Sequence, residues 1–397
     1  MPWNSFSPLT AFEREAVRTV LQSISSVANI TFQEVADNAT SAGDIRYAYS
    51  ASVSSSASAS AYMPGGTYSP ITMIGTAYAY AGDVWIQAAN YRSFYPVQGS
   101  FDYAALLHET MHALGLKHPF EPGSTGVVLP KERDVIPMTL MSYDEGPDLH
   151  SWLSVYPTQP MPIDVSALQF LYGANRTANA GDDTYMLDTD NPTWLHIWDT
   201  GGDDAIELSG SRGATLDLRE DSWSAIGSGI KIGYDLIWPE SLYIDSGSVI
   251  ENAKGSSGND TITGNDADND ISGGAGNDTL YGGAGEDTFD WDSSARGGSD
   301  TMYGGPGDDT YVSNTPFDTA VELPNEGIDR IFVQDSYSIA GLPNVENLLA
   351  IGTSSVTLTG NAANNGLRGN AGNNLIDGGV SAVIDLDGIR CRGDQVA

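Results

Sequence analysis

Hydrophobic positions change rhythm once along the chain. Between residues 10 and 30, Phe12, Val17, Val20, Leu21, Ile24 and Val27 recur close to every 3.6 residues, which predicts an amphipathic helix. Ile30-Thr-Phe-Gln-Glu-Val35 and Asp44-Ile-Arg-Tyr-Ala-Tyr49 alternate and predict strands. Residues 50–61 are mostly Ser and Ala and present no readable face. Thr76-Ala-Tyr-Ala-Tyr-Ala81 followed by Val84-Trp-Ile86 predicts a further strand or a hairpin. Tyr103 to Leu116 predicts a second helix, ended by Gly115, and Ile163 to Tyr172 a third, ended by Gly173. Residues 119–160, rich in Pro, Gly and Asp, predict loops. The first half therefore reads as α+β and is long enough to bury its own core.

Past about residue 175 the helical rhythm fades and a nine-residue period replaces it. The division predicts two domains, 1–175 and 176–397. The register Gly-Gly-x-Gly-x-Asp-x-U-x, with U apolar, runs in tandem through 255–263, 264–272, 273–281 and 282–290. After a four-residue insertion it resumes at 295–303 and 304–312, and two copies with Asn in the Asp place occupy 360–368 and 369–377. The U positions are Ile262, Ile271, Leu280, Phe289, Met302, Tyr311, Leu367 and Ile376. Six turn-forming residues make a tight loop that uses positive φ, and three make a short strand with its middle side chain inward. Two such units close one turn of a parallel β-roll, and stacking is expected to line the aspartates along one edge. A row of carboxylates suits Ca²⁺, a hard cation that takes six to eight oxygen ligands. The candidate calcium residues are Asp260, Asp278, Asp287, Asp300 and Asp309, with Gly255, Gly258, Gly273, Gly276, Gly282, Gly285, Gly304 and Gly307 shaping the loops. This nonapeptide resembles that of the calcium-binding RTX proteins.

Charge sharpens the picture. The 397 residues carry 52 acidic and 17 basic side chains, a net charge of −35. That excludes a general nucleic-acid binder and argues against docking on anionic membranes. Disorder does not fit, because 40% of residues are hydrophobic and only 17% are charged. Residues 255–312 hold twelve of the acids against one base, Arg296, so much of the charge is ligand charge. Cys391 is the single cysteine, so calcium replaces disulfides as the expected staple. No apolar run is long enough to span a membrane, and the first residues have no secretory signal pattern.

The sharpest chemistry is His108-Glu-Thr-Met-His112-Ala-Leu-Gly115-Leu-Lys-His118. His108 and His112 stand four apart on one helix face, a spacing that lets both imidazoles meet one Zn²⁺. Glu109 sits beside the first ligand, within reach of a metal-bound water. Gly115 permits the bend that returns His118 as third ligand, and three neutral ligands leave an open, catalytic coordination position. His150 and His196 lack such spacing and read as surface or substrate-cleft residues.

With its third His and its Gly, this motif resembles the metzincin zinc peptidases. Thr139-Leu-Met141-Ser-Tyr143 resembles their Met-turn. Pro119, the segment 162–175, Trp198-Asp-Thr-Gly-Gly-Asp-Asp204 and Val27-Ala-Asn-Ile-Thr-Phe32 narrow the likeness to the serralysins, secreted bacterial calcium-dependent members. The resemblance implies an α+β metzincin catalytic domain followed by an all-β parallel RTX roll. It implies one catalytic Zn²⁺ on His108, His112, His118 and Tyr143, with Glu109 as general base and Tyr143 as a switching ligand that stabilises the oxyanion. Met141 would form an apolar floor. Several structural Ca²⁺ ions, protein or peptide substrates, a monomeric state and a proteinaceous inhibitor are implied as well. So is secretion by a type I route through a C-terminal signal, for which Asp394-Gln-Val-Ala397 is the candidate. The chain begins close to the first helix of the family, whose pattern places a strand and a propeptide before it. The strand near 76–86 is the expected edge for pairing with substrate backbone. An RTX adhesin, or an RTX enzyme with a non-proteolytic zinc site, is the alternative; it leaves the zinc motif and Met-turn idle.

Overall fold

The computed structural model describes residues 6–378, 383–384 and 395–396, apart from 37–42, 52, 54–57, 62–65, 70–73, 78–81, 91–92, 123–125, 145–152, 234–235, 291–296 and 314–316. The chain forms two compact units. The first is Met1–Ala178 with Thr193–Trp198 and Ile230–Tyr243; the second is Asn179–Pro192, Asp199–Gly229 and Ile244–Ala397.

In the first unit, helix α1 (Ala11–Val27) opens on a reciprocal cap. Glu13 N–H donates to Thr10 Oγ1 at 3.3 Å and Thr10 N–H donates to the Glu13 carboxylate at 2.6 Å. Of the expected apolar face Val17, Val20, Ile24 and Val27 are buried, with Ala16 beside them, whereas Leu21 is half-buried and Phe12 is exposed. Strands β1 (Phe6–Ser7), β2 (Tyr47–Ser50), β3 (Ala59–Ala61) and β6 (Val84–Gln87) form a sheet in the order β1-β2-β6-β3. Strands β2 and β6 are parallel, whereas β3 runs antiparallel to β6. Strands β4 (Gly66–Ser69) and β5 (Ile74–Ala77) form a separate antiparallel pair.

Three strand expectations change. Ile30–Val35 forms no strand; it is largely exposed and has no ladder partner among the described residues. Alternation marks two faces, but a strand also needs a neighbour for its backbone groups. Val84–Ile86 belongs to an interior strand, buried on both faces, and does not pair with Thr76–Ala77; residues 78–81 lie outside the described set. The sheet edge opposite β1 is instead β3, drawn from the Ser/Ala segment whose small side chains had no legible face.

Helix α2 (Phe101–Ala113) begins two residues before the expected Tyr103 and is capped by Ser100, whose hydroxyl accepts the Tyr103 N–H at 3.2 Å. Helix α3 (Pro162–Tyr172) begins with proline and ends at Gly173, which holds φ of 84°.

The second unit contains the parallel roll. Thr261–Thr263, Thr279–Tyr281, Thr301–Tyr303 and Thr319–Val321 pair in one sheet. Asp270–Ser272, Thr288–Phe289, Thr310–Ser313, Arg330–Val333, Asn347–Ala350 and Gly366–Arg368 pair in the other. Thr261 aligns with Thr279, so two nonapeptides make each turn. Thr279 then aligns with Thr301, the longer step produced by the four-residue insertion. Every U residue named above is at most 1% exposed. Each full burial contributes about 1.5–3 kcal/mol, and together they form the core of the roll.

Candidate metal centre and active site

Helix α2 carries His108 and His112 on one face, both 8% exposed. After Leu114 the chain turns through Gly115 at φ of 106°, where a side chain would be strained, and Gly115 N–H closes onto His112 O at 2.9 Å. That reversal brings His118 back toward the helix. His118 Nε2 lies 3.3 Å from His108 Nε2 and 2.9 Å from His112 Nε2.

These close approaches are not hydrogen bonds between rings. His108 Nδ1 lies 2.8 Å from Leu140 O, and His112 Nδ1 lies 2.7 Å from Leu116 O. A carbonyl oxygen only accepts, so each Nδ1 carries the proton and each neutral ring presents a bare Nε2. His118 Nδ1 faces Glu121 Oε1 at 3.0 Å and is held in the same sense. Burial, with the adjacent imidazoles, pushes His108 down to about 3, and His112 moves the same way. Three neutral nitrogens 2.0–2.1 Å from one tetrahedral ion would stand about 3.3–3.4 Å apart. The donor set and its spacing therefore fit Zn²⁺, with each ligand oriented from behind by a carbonyl or carboxylate.

Glu109 follows His108 on the helix. Burial pushes its carboxyl up to about 7, partly offset by the Ala61 backbone N–H. The Tyr143 ring lies 4.5 Å from His118 and 5.7 Å from His108, centroid to centroid, and is largely exposed. Phe120 stacks on His118 at 5.0 Å. Met141 is buried. His196 also is buried, in the strand Leu195–Ile197 with its ring 5.6 Å from Tyr243, and so is not a surface or cleft residue. The apolar run Trp194-Leu-His-Ile-Trp198 around it was the available sign. His150 lies outside the described residues.

Two residues of this region escaped the sequence reading. Asp164 of α3 is 1% exposed; its carboxylate accepts from Thr139 Oγ1 at 2.5 Å, Leu140 N at 2.8 Å and Met161 N at 3.1 Å. Leu140 in turn orients His108, so Asp164 pins the turn behind a candidate ligand. Burial raises Asp164 to about 6 despite those bonds. Glu121 was legible only as a carboxylate three residues past the third histidine.

In the roll, the aspartates stack along two edges, not one, because successive nonapeptides fall on opposite sides of each turn. On one edge Asp260 N–H donates to Asp278 Oδ1 at 2.7 Å and Asp278 N–H to Asp300 Oδ1 at 2.8 Å. On the other, Asn269 N–H donates to Asp287 and Asp287 N–H to Asp309, both at 2.8 Å. The second oxygens of Asp278, Asp287 and Asp309 are buried without a hydrogen-bond partner among the described residues. Burial raises Asp278 to about 8, Asp287 and Asp309 to about 7, and Asp300 to about 6; Asp260 also is raised.

The glycines are explained by the same crowding. A Cβ on Gly255, Gly273, Gly282 or Gly304 would strike the carboxylate of its own repeat. One on Gly258, Gly276, Gly285 or Gly307 would strike backbone of the preceding turn. Where Asn replaces Asp, the amide supplies its own donors: Asn269 Nδ2 donates to Glu251 O at 2.9 Å, and Asn374 Nδ2 donates to Asn370 O and Gly372 O at 3.0 Å. Asp183, Asp199 and Asp204 form another carboxylate group, with one oxygen from each within 4.8 Å of the others. Its sign in the sequence was the Trp198–Asp204 run, to which no role had been attached.

The RTX calcium-binding nonapeptide repeat model matches residues 254–289, 294–314 and 357–381. Serralysin of Proteus mirabilis is 31% identical over 280 residues, which cover 64% of this chain and 54% of that protein. Serralysin of Photorhabdus luminescens is 32% identical over 67% of this chain and 56% of its own length. Metallopeptidase AprA of Pseudomonas marginalis is 31% identical over 66% and 56%. The chain thus spans about half the length of these relatives. It is a relative of the serralysins, with a mixed α/β unit that bears the histidine cluster and a parallel β-roll of RTX calcium-binding repeats.

Proposed function

We propose that this chain is a secreted, calcium-stabilised zinc endopeptidase. The convergence of His108, His112 and His118 Nε2, with Glu109 alongside, carries the reading. Zinc bound there would polarise the scissile carbonyl and acidify a water. Glu109, with a carboxyl near 7, is suited to take the proton of the attacking water and deliver it to the leaving amine. Tyr143, whose ring lies beside His118, is the candidate to donate its hydroxyl to the developing oxyanion. Strand β3 is the edge that offers backbone groups to an extended peptide, and its Ala61 already faces Glu109. The names of the relatives, serralysin and metallopeptidase, support protein substrates. No helix among the described residues is long and apolar enough to cross a membrane.

The test is Glu109→Gln assayed on casein beside wild type, with metal content measured on both. Zinc stays bound and the rate falls by about 10²–10⁴-fold. A variant that digests casein at the wild-type rate overturns the mechanism. Wild-type hydrolysis that resists o-phenanthroline overturns the zinc assignment.

A further inference from the structure

The three candidate zinc ligands are not held alike. His108 and His112 belong to helix α2, so their backbone is fixed by the helix itself. Their Nδ1 atoms donate to the backbone oxygens of Leu140 and Leu116, both buried residues. Neither oxygen can turn away unless buried chain moves with it. His118 lies beyond the end of the helix. Its Nδ1 faces the Glu121 carboxylate at 3.0 Å, on a side chain that is half exposed.

The residues directly after His118 fold back over its ring. Phe120 lies against one face, with ring centroids 5.0 Å apart and planes 6° from parallel. Glu121 reaches the edge of the ring at Nδ1. Glu121 N–H donates to His118 O at 3.2 Å and closes the turn between them. Lys117 Nζ donates to Glu121 O and, at 3.0 Å, to Val127 O. Leu129 N–H donates to Pro119 O at 3.0 Å. The third ligand is therefore fastened locally, by two side chains of its own turn, and both stand at the surface.

We propose that Phe120 and Glu121 are positioning residues that clamp His118 on the metal, and that His118 is the ligand that lets go first when zinc leaves. The proposal rests on the zinc reading of the histidine cluster and adds to it which ligand governs retention. A metal held by three nitrogens leaves in steps, and the ligand with the least buried chain to move opens the sequence. Glu121 fixes the tautomer and heading of the His118 ring, as a carboxylate behind a metal-bound imidazole does. Phe120 resists a different motion: an offset stack of this kind opposes rotation of the ring out of its plane. Each side chain covers what the other leaves free, one the ring edge and the other the ring face.

The experiment follows zinc release from full-length protein, loaded with zinc and kept in saturating calcium, into an excess of the chelating dye pyridylazoresorcinol. Far-UV circular dichroism establishes that each variant is folded. Phe120→Ala releases zinc about three- to tenfold faster than wild type. Glu121→Ala releases it about 10–100-fold faster. Phe120→Tyr keeps the stack and Glu121→Gln keeps an acceptor at Nδ1, so each stays closer to wild type than its alanine counterpart. In a His118→Ala background, Phe120→Ala no longer changes release, because the ring it steadied is gone. Asp164→Asn, which loosens the turn behind His108, speeds release less than Glu121→Ala does. Unchanged release from folded Phe120→Ala and Glu121→Ala overturns the clamp alone. Equal acceleration by Phe120→Ala with and without His118 overturns its action through that ligand. Faster release from Asp164→Asn than from Glu121→Ala overturns the order of departure. A wild type that takes up no zinc overturns the zinc reading beneath it.

Discussion

Asp287→Asn tests the logic of the roll most directly. Asp287 sits on the same edge as Asn269, one turn away, and accepts the Asn269 N–H through Oδ1. Its Oδ2 is buried without a hydrogen-bond partner among the described residues. Burial is the main reason its carboxyl rises from 3.8 to about 7, with Asp309, Asp268 and Asp270 adding repulsion. A group whose folded value is raised lends stability at low pH and loses it as pH climbs toward that value. The metal-free roll should therefore weaken between about pH 4 and pH 7 on account of this residue, by at most about 4 kcal/mol. Asparagine keeps the acceptor, removes the charge and adds a donor like that of Asn269. In chelator at pH 8, Asp287→Asn should melt above wild type by about 5–15 °C, on a scale of 2–4 °C per kcal/mol for a unit of this size. In saturating calcium the order reverses, because a ligand has been lost. Thermal melts followed by far-UV circular dichroism read both arms, repeated at pH 6. A variant that melts at or below wild type in chelator, with an unaltered response to calcium, refutes the reasoning.

Asp164→Asn should weaken zinc binding by about 10–100-fold, because the turn that orients His108 loses a charged acceptor; competition with a chelating dye measures it. Leu280→Ala removes a fully buried side chain between stacked turns and should cost about 2–5 kcal/mol in denaturant titrations of calcium-loaded protein, with zinc content unchanged.

The roll was legible because nine residues repeat a complete physical unit, a loop that needs glycine and a strand that needs one apolar residue. The eight U residues accordingly all occupy the core. The histidine cluster was legible because helical spacing and one glycine determine its geometry. The two edges were not, because a linear repeat does not state which side of a turn a loop occupies. Strand β3 was hidden in Ser and Ala, whose small side chains carry no alternation. Asp164 was missed for a related reason: it acts through neighbours far away in sequence, Thr139 and Leu140. Ile30–Val35 shows the opposite error, in which a strand pattern meets no partner.

The bonds along the two edges have a direction. In each pair the upstream aspartate gives its N–H and the downstream one supplies the carboxylate, from Asp260 through Asp278 to Asp300. The side-chain half of each link therefore points one way, while the backbone half runs back, with Thr279 N–H donating to Asp260 O at 2.9 Å. Farther along the chain, the amides of Asn365 and Asn374 satisfy their own loops: Asn365 Oδ1 takes the Asn361 N–H at 2.7 Å. Each turn is thus tied to its neighbour, and the turns stabilise one another as in a one-dimensional array. A change at one turn is therefore felt first by the turns stacked on either side of it.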